Sequence, residues 1–523
     1  MSKKLPAKVF QGTYADMLKR LAKKEWFTAR MCACTLIATD FEGLIADQRQ
    51  EYLESFAKLC RDDVPMVRRT ASHNLGVMLT NALSVLDSSS ITEPDGLISR
   101  ILLPLYEELA QNDQDSVRLQ TTENCIAFGK AITALAAKAK NENTSVGNSI
   151  PFLQQQELVE RILPILVSTT DDRSWRVRWT AASKFSEAVQ AFCDLPGSMA
   201  ELLSAYEKLL QDPEAEVRSA ATFNLADVAK YAADVEKKEH IEENQMEEKS
   251  EDVAERLVKR VAALTDDETE HVRAALATVV TELAPILGKN RTIHHLLPPI
   301  LLLLRDASSE VRLNLISSLG PLNDVIGLEL LSQSLLPAII DLSEDSKWRI
   351  RLAVITHIPL LAKQLGQDFF SEKLSALCVA WLGDDISSIR EAAAKNLMEL
   401  TGQFGSKWAV EHLLPSLVEI RHHQSYLRRL TAVQSASLMA TKMEPETASH
   451  QFLPLVLEMA IDPVPNIRFN VARALERMAV PCGEDVYRLQ IRPVLSVLTE
   501  DPDRDVRYFA EKSLEEADKQ FCT

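Results

Sequence analysis

Glycine and aromatic residues are scarce in this sequence, with 15 Gly and 6% Phe, Trp and Tyr over 523 residues. That scarcity argues against a turn-rich all-β protein. Long apolar runs are missing too. The longest, Leu296 to Leu304, is broken by Pro298 and Pro299 and falls short of the roughly 20 residues a membrane helix needs. The first ten residues, MSKKLPAKVF, hold no apolar stretch of the signal-peptide kind. Positive charge is in deficit: the net charge of −17 disfavours DNA or RNA as a primary partner, because phosphate backbones are held by basic surfaces.

Cysteine is present without pattern. Cys32, Cys34, Cys60, Cys125, Cys193, Cys378, Cys482 and Cys522 form no Cys-x-x-Cys pair and no zinc spacing. They read as buried, reduced thiols, and their scatter suits a reducing compartment, the cytoplasm, with the nucleus also open. Catalytic signatures are missing as well. There is no phosphate-cradling Gly-rich loop, no His-Glu-x-x-His, no Gly-x-Ser-x-Gly and no cluster of Asp, His and Asn of the metallophosphatase kind. The adjacent His422 and His423 suggest a metal only weakly, since chain neighbours rarely chelate together and no carboxylate cluster flanks them. The expectation is a chain with no catalytic residues, no metal and no cofactor.

What is there is a ladder of arginines. Arg273, Arg312, Arg351, Arg390, Arg429, Arg468 and Arg507 are each 39 residues apart (312 − 273 = 39, and so on). Six residues before them stand Asp267, Asp306, Asp345, Asp384, Asp462 and Asp501, with His423 the exception. Pro298, Pro337, Pro415, Pro454 and Pro493 lie fourteen before, and the residue just before each arginine is Val or Ile except at Arg428. Arg218, Arg178, Arg118, Arg68 and Arg30 continue the ladder backwards at looser spacing. A sustained period near 40 residues marks stacked repeats. The predicted fold is all-α: a solenoid of about twelve stacked antiparallel helix pairs forming one body over 1–523, with looser repeats in 1–255 and strict ones in 256–517. Three stretches read as insertions between units: 84–96, 138–149 and the acidic 236–255, which is either a solvated helix extension or a loop.

Within a unit the pattern is helix, turn, helix. Residues 334–345 predict a first helix with Leu335, Leu336, Ile339 and Ile340 on one face and Pro337 in its first turn. Trp348 to Leu365 predicts the second, with Ile350, Val354, Ile358 and Leu361 as one stripe. The ladder arginine falls in the first turn of that second helix, where the macrodipole disfavours a cation. Its recurrence there calls for a partner. The in-phase Asp is the obvious one, in the same turn or in the adjacent repeat.

Helix pairs with Pro, Asp and Val-Arg at these offsets resemble HEAT repeats. NDQDSVRL (112–119), DDRSWRVR (171–178), LSQSLLPAIIDLSEDSKWRIRLA (331–353), SIREAAAKNL (388–397) and DPVPNIRFNVARAL (462–475) resemble the scaffold subunits of protein phosphatase 2A, from about Trp26 to about Glu516. The resemblance implies a horseshoe-shaped, non-catalytic scaffold. Its partners would be a protein phosphatase 2A-type catalytic subunit on the turns of the last five repeats and exchangeable regulatory B-type subunits on the earlier ones. No nucleic acid, no membrane and no obligate homo-oligomer is expected. That family has fifteen repeats where twelve are counted here. Met1 to Glu25 reads as a replacement lead-in carrying a polar face of Lys19, Arg20, Lys23, Lys24 and Glu25, with an incomplete gene model the alternative.

The slot three before each arginine accepts Asp, Glu, Ser and Arg in equivalent units (Asp115, Glu270, Ser387, Arg504), so it faces solvent. Aromatics in that slot, Trp348 and Tyr426, are expected to be exposed and, beside Arg349, to form a binding hot spot. By resemblance, the catalytic-subunit surface comprises Trp348, Arg349, Ser387, Ser388, Tyr426, Leu427, Pro463, Val464, Asn466, Asp505 and Tyr508. The regulatory-subunit surface comprises Pro65, Met66, Arg69, Asp115, Trp175, Arg176 and Glu216. The competing reading is an importin-like transport receptor that wraps basic cargo with acidic second helices.

Overall fold

The computed structural model describes residues 6–85, 98–141, 150–193, 198–243, 253–327, 333 and 335–521. Every regular element among them is helical, and they make twelve helix–turn–helix pairs. Most of the three insertion stretches (86–96, 142–149 and 244–252) lies outside the described residues. The described edges of the third, to Glu243 and from Val253, are helical. The chain divides into two compact units, Met1–Ile300 and Leu301–Thr523.

Inside each unit the stacking follows from the sequence pattern. One helix pair cannot bury two apolar faces by itself, so the second helices of successive pairs pack directly on one another. In the first unit Phe27–Asp40 packs on Pro65–Val85, and Ala215–Phe223 on Glu270–Val279. In the second, the run is Trp348–Leu365, Ser387–Phe404, Tyr426–Ala440, Pro465–Cys482 and Arg504–Phe521. Trp348–Leu365 has the expected bounds, and Ile350, Val354, Ile358 and Leu361 are buried. The residue before the ladder arginine is buried in every described repeat where it is Val or Ile, from Val67 to Val506, which explains that preference. Buried tyrosines keep their hydroxyls paired: Tyr206 donates to the Ala221 carbonyl at 2.6 Å and Tyr487 to Asp518 Oδ1 at 2.6 Å.

Two features add to the expected pattern. Within the stretch expected as a lead-in, Ala15–Ala22 packs on Phe27–Asp40 as the first helix of a pair. Arg20, Lys23, Lys24 and Glu25 are exposed, while Lys19 pairs with Glu51 at 2.6 Å. The in-phase proline stands at the start of its α-helix, as Pro337 does in Leu336–Ser343 and Pro415 in Leu414–Ile420, but in some repeats a π turn precedes it. Ala448–Phe452 and Tyr487–Ile491 are single π turns that run into Leu453–Glu458 and Arg492–Leu498, where Pro454 and Pro493 sit. A proline lacks the N–H and crowds the preceding carbonyl, and a wider turn upstream absorbs both defects inside one longer helix.

Five of the strict repeats are also closed by a residue that stands outside the Arg, Asp and Pro periodicity. Gly288, Gly327, Gly366, Gly405 and Gly483 all have φ between 74° and 89° and lie fifteen after the ladder arginine. At Gly405 the backbone N–H still reaches the Thr401 carbonyl at 2.9 Å, after which the chain reverses through a conformation that side chains disfavour.

Candidate functional site: the turn ridge

The turn between the two helices of a pair is built by the in-phase Asp and Arg together. The Asp carboxylate accepts the backbone N–H two residues on: Asp172 Oδ1 from Ser174 at 2.8 Å, and Asp462 Oδ1 from Val464 at 2.9 Å. The ladder arginine closes the same turn from its other end, Arg178 Nη1 donating to the Asp172 carbonyl and Arg468 Nη1 to the Asp462 carbonyl, both at 2.8 Å. Its remaining edge reaches into the next repeat and forks that repeat's Asp. Arg178 takes Asp212 at 2.6 and 3.0 Å, Arg351 takes Asp384 at 3.0 and 3.0 Å, and Arg429 takes Asp462 at 2.7 and 3.0 Å. The partner is therefore in the adjacent repeat, and the same arginine also holds its own turn. This bidentate geometry offsets the unfavourable macrodipole position.

The carboxylates respond to this environment. At Asp501 the Arg468 fork, with the Asp503 N–H, outweighs burial and holds the carboxyl below its usual range. At Asp172 and Asp267 burial pushes upward, but the arginine fork and a backbone N–H prevail and both titrate low.

One rung is different. His423 stands where Asp is expected; its Nδ1 accepts the Ser425 N–H at 3.0 Å, reproducing the turn but offering Arg390 no carboxylate. Arg390 Nη1 keeps its own turn, at 2.7 Å from the Asp384 carbonyl. Arg428, the exception to the buried Val/Ile slot, is exposed. Its guanidinium instead lies against Gly383, where an added Cβ would come within 3.1 Å of Cζ.

With the turns fixed in this way, the residues three and two before the arginine project outward, and none in the three-before slot is buried. In the second unit Tyr426 (41%) and Leu427 (37%) are exposed, as are Arg349, Ser387, Ser388, Pro463, Asp505 and Tyr508, while Val464 and Asn466 are half-buried. Trp348 is half-buried rather than exposed. The Arg349 guanidinium covers one face of its indole, 4.9 Å from the ring centroid. In the first unit Pro65, Met66, Arg69, Trp175, Arg176 and Glu216 are exposed and Asp115 is half-buried. Trp175 and Arg176 repeat the stacked pair at 5.7 Å, and Arg176 approaches Asp115 at 4.0 Å.

Slot reasoning applied one position further would have found another ridge residue. Ile461 is 88% exposed. The equivalent position elsewhere holds Arg305, Glu344, Gly383, His422 or Glu500, so an Ile there is an apolar exception beside Pro463. Trp26, 75% exposed just before Phe27, is a second ridge residue that the slot pattern does not single out. Among the described residues no group of His, Cys, Asp and Glu could hold a metal, and no helix is long and apolar enough to cross a membrane.

Comparison with known proteins bears on what such a ridge serves. The family model described as PIK3R4-like, middle domain, matches residues 145–416, just over half of the chain, and a HEAT repeat model matches 452–480. The chain is 38% identical over 295 residues to the beta isoform of the human serine/threonine-protein phosphatase 2A 65 kDa regulatory subunit, covering 56% of this chain and 42% of that one. It is 32% identical over 191 residues to the protein phosphatase PP2A regulatory subunit of Saccharomyces cerevisiae, covering 36% and 26%. The matches thus span less than half the length of these relatives. Among solved structures, the karyopherin Kap121p bound to the extreme C-terminus of the protein phosphatase Cdc14p is similar at TM-score 0.58 and 13% identity, covering 98% of this chain and 49% of that one. A complex of Kap95p with RanGDP is similar at TM-score 0.55 and 13% identity, covering 98% and 69%. At that identity the likeness shows the stacked-helix fold alone.

Proposed function

Since this chain belongs to the PIK3R4-like middle-domain family and is built of HEAT repeats, we propose that it is a non-catalytic scaffold of a protein phosphatase 2A-type assembly. In this reading the turns of the last five repeats hold the catalytic subunit and the earlier turns hold an exchangeable regulatory subunit, in the cytoplasm with the nucleus also open. The observation that carries the reading is the ridge itself. Aromatic side chains, exposed at Trp175 and Tyr426 and half-buried at Trp348, recur at one register, with Arg176 and Arg349 next to the tryptophans, in a chain 38% identical to a 65 kDa phosphatase 2A regulatory subunit over 295 residues. Aromatic–Arg pairs on a rigid support suit a protein–protein hot spot, because little side-chain freedom is lost on docking.

A transport receptor for basic cargo calls for acidic second helices. The second helices Ser387–Phe404 and Pro465–Cys482 instead bring four cations, Arg390, Lys395, Arg473 and Arg477, to one cavity with a single carboxylate, Glu391. That observation favours the scaffold. Size-exclusion chromatography of the chain with purified phosphatase 2A catalytic subunit, then with a B-type regulatory subunit added, tests the proposal. Stepwise shifts to a binary and a ternary complex are expected. Separate elution of the catalytic subunit would refute it.

A further inference from the structure

The broken rung has a consequence on the second helices. Arg390 loses its carboxylate to His423, and among the described residues no Asp or Glu pairs with Arg390, Arg473 or Arg477. All three line one cavity of about 370 Å³ running across Ser387–Phe404, Tyr426–Ala440 and Pro465–Cys482. Lys395 and Glu391 also line it, paired with each other at 2.8 Å. The cavity therefore carries three guanidinium groups without an ion-pair partner among the described residues, in a chain whose net charge is −17.

Arg477 sits least comfortably. Its Nη1 donates to Ser437 Oγ at 2.7 Å. Burial and the neighbouring Arg473 both weaken its hold on its proton, with Glu476 pulling the other way. Arg473 is tied back against the Phe509 ring at 5.7 Å. Like charges held together at a partly desolvated wall oppose each other, and a bound dianion relieves them. Neutral polar groups stand in the same wall: Thr431, Asn470 and Gln434. Apolar surface lies beside the charges in Leu430, Leu438, Ala394 and Ala474.

We propose that this cavity binds a phosphorylated serine or threonine side chain of a partner peptide, with Arg390, Arg473 and Arg477 holding the phosphate. Guanidinium groups match phosphate oxygens in paired hydrogen bonds, and the doubly charged ester is the peptide group best suited to three of them. The apolar lining favours a phosphate carried on a peptide over a free ion, since a flanking side chain has surface to cover. The site shares Ser387 and the turn-closing Arg390 with the turn ridge, while Arg473 and Arg477 lie further along the second helix, so substitutions there test it separately from the scaffold reading.

The test is calorimetric titration of the full chain with three probes: the peptide Ala-Leu-pSer-Leu-Ala, its unphosphorylated twin and inorganic phosphate. Saturable binding of the phosphopeptide at one site is expected, with inorganic phosphate at least tenfold weaker and the twin silent. The Arg473→Gln/Arg477→Gln variant should weaken the phosphopeptide at least tenfold, and Arg488→Gln, outside the cavity, should not. Arg473→Gln alone is the second variant should the double one fail to fold, with a severalfold loss expected. Absence of saturable phosphopeptide binding, or unchanged affinity in the folded cavity variants, would overturn the proposal. Inorganic phosphate binding as tightly as the phosphopeptide would overturn its assignment to a peptide.

Discussion

Arg468 crosses from its own repeat to clasp Asp501 of the next, Nε to Oδ2 at 2.7 Å and Nη2 to Oδ1 at 2.8 Å, while its Nη1 closes its own turn on the Asp462 carbonyl. A single side chain thus sets the turn and couples neighbouring repeats. Removing it as Arg468→Ala leaves the Asp501 carboxylate, only 7% exposed at its side chain, without its cation. The expected cost is about 2 kcal/mol. Hydrogen exchange at the amides of 501–506 should accelerate by roughly 30-fold, the equivalent of that cost. Arg468→Lys keeps the charge but lacks the fork, and should recover less than half of the loss.

Acid should loosen the ladder in a defined window. Asp172, Asp267 and Asp501 titrate below the ordinary carboxyl value of 3.8 in the folded chain. Their contribution is fully present above that value and is lost as pH falls through the lowered folded values. His357 acts earlier. Burial lowers it from 6.5 to about 4, so the folded chain binds fewer protons than the unfolded one between those values. Stability present above pH 6.5 should decline as pH falls towards 4. Denaturant midpoints recorded between pH 7 and 4 should therefore fall in the native chain and stay flatter in His357→Gln.

Much of the architecture is legible in the residues, since a 39-residue period records contacts repeated at identical geometry. The Arg–Asp partnership and the bounds of Trp348–Leu365 follow directly from it. Other features escaped for physical reasons. A proline fourteen before an arginine marks the start of an α-helix, but nothing in the sequence announces the π turn that precedes it at Pro454 and Pro493. Exposure of Trp348 could not be separated from its half-burial, because slot statistics ignore the Arg349 cation stacked on its ring. Gly405 and its equivalents keep the same period but are few in number and sit at the seam between repeats, where they blend into the loop.

That seam gives a backbone test. Gly405, at φ 89°, should lose about 1 kcal/mol as Gly405→Ala, with a matching fall in denaturant midpoint. Gly402 lies within Ser387–Phe404, and a Cβ there meets Lys442 at an ordinary 3.6 Å. Gly402→Ala should be neutral or stabilising by a similar amount.

On the ridge of the first unit, Trp175→Ala removes the exposed indole stacked by Arg176. Affinity for a B-type regulatory subunit should fall by about tenfold or more with catalytic-subunit affinity unchanged, read by surface binding of each purified partner. Equal loss of both partners would show that the indole supports the fold instead.

The scaffold account rests on the second-unit ridge, and one calorimetric titration addresses it most directly. Purified phosphatase 2A catalytic subunit is titrated into the native chain and into Trp348→Ala/Arg349→Ala, with the melting transition of each recorded alongside. The account predicts saturable binding by the native chain and a loss of about 2 kcal/mol or more in the variant, with the melting transition little changed. No binding by the native chain, or equal binding by the variant, would contradict it.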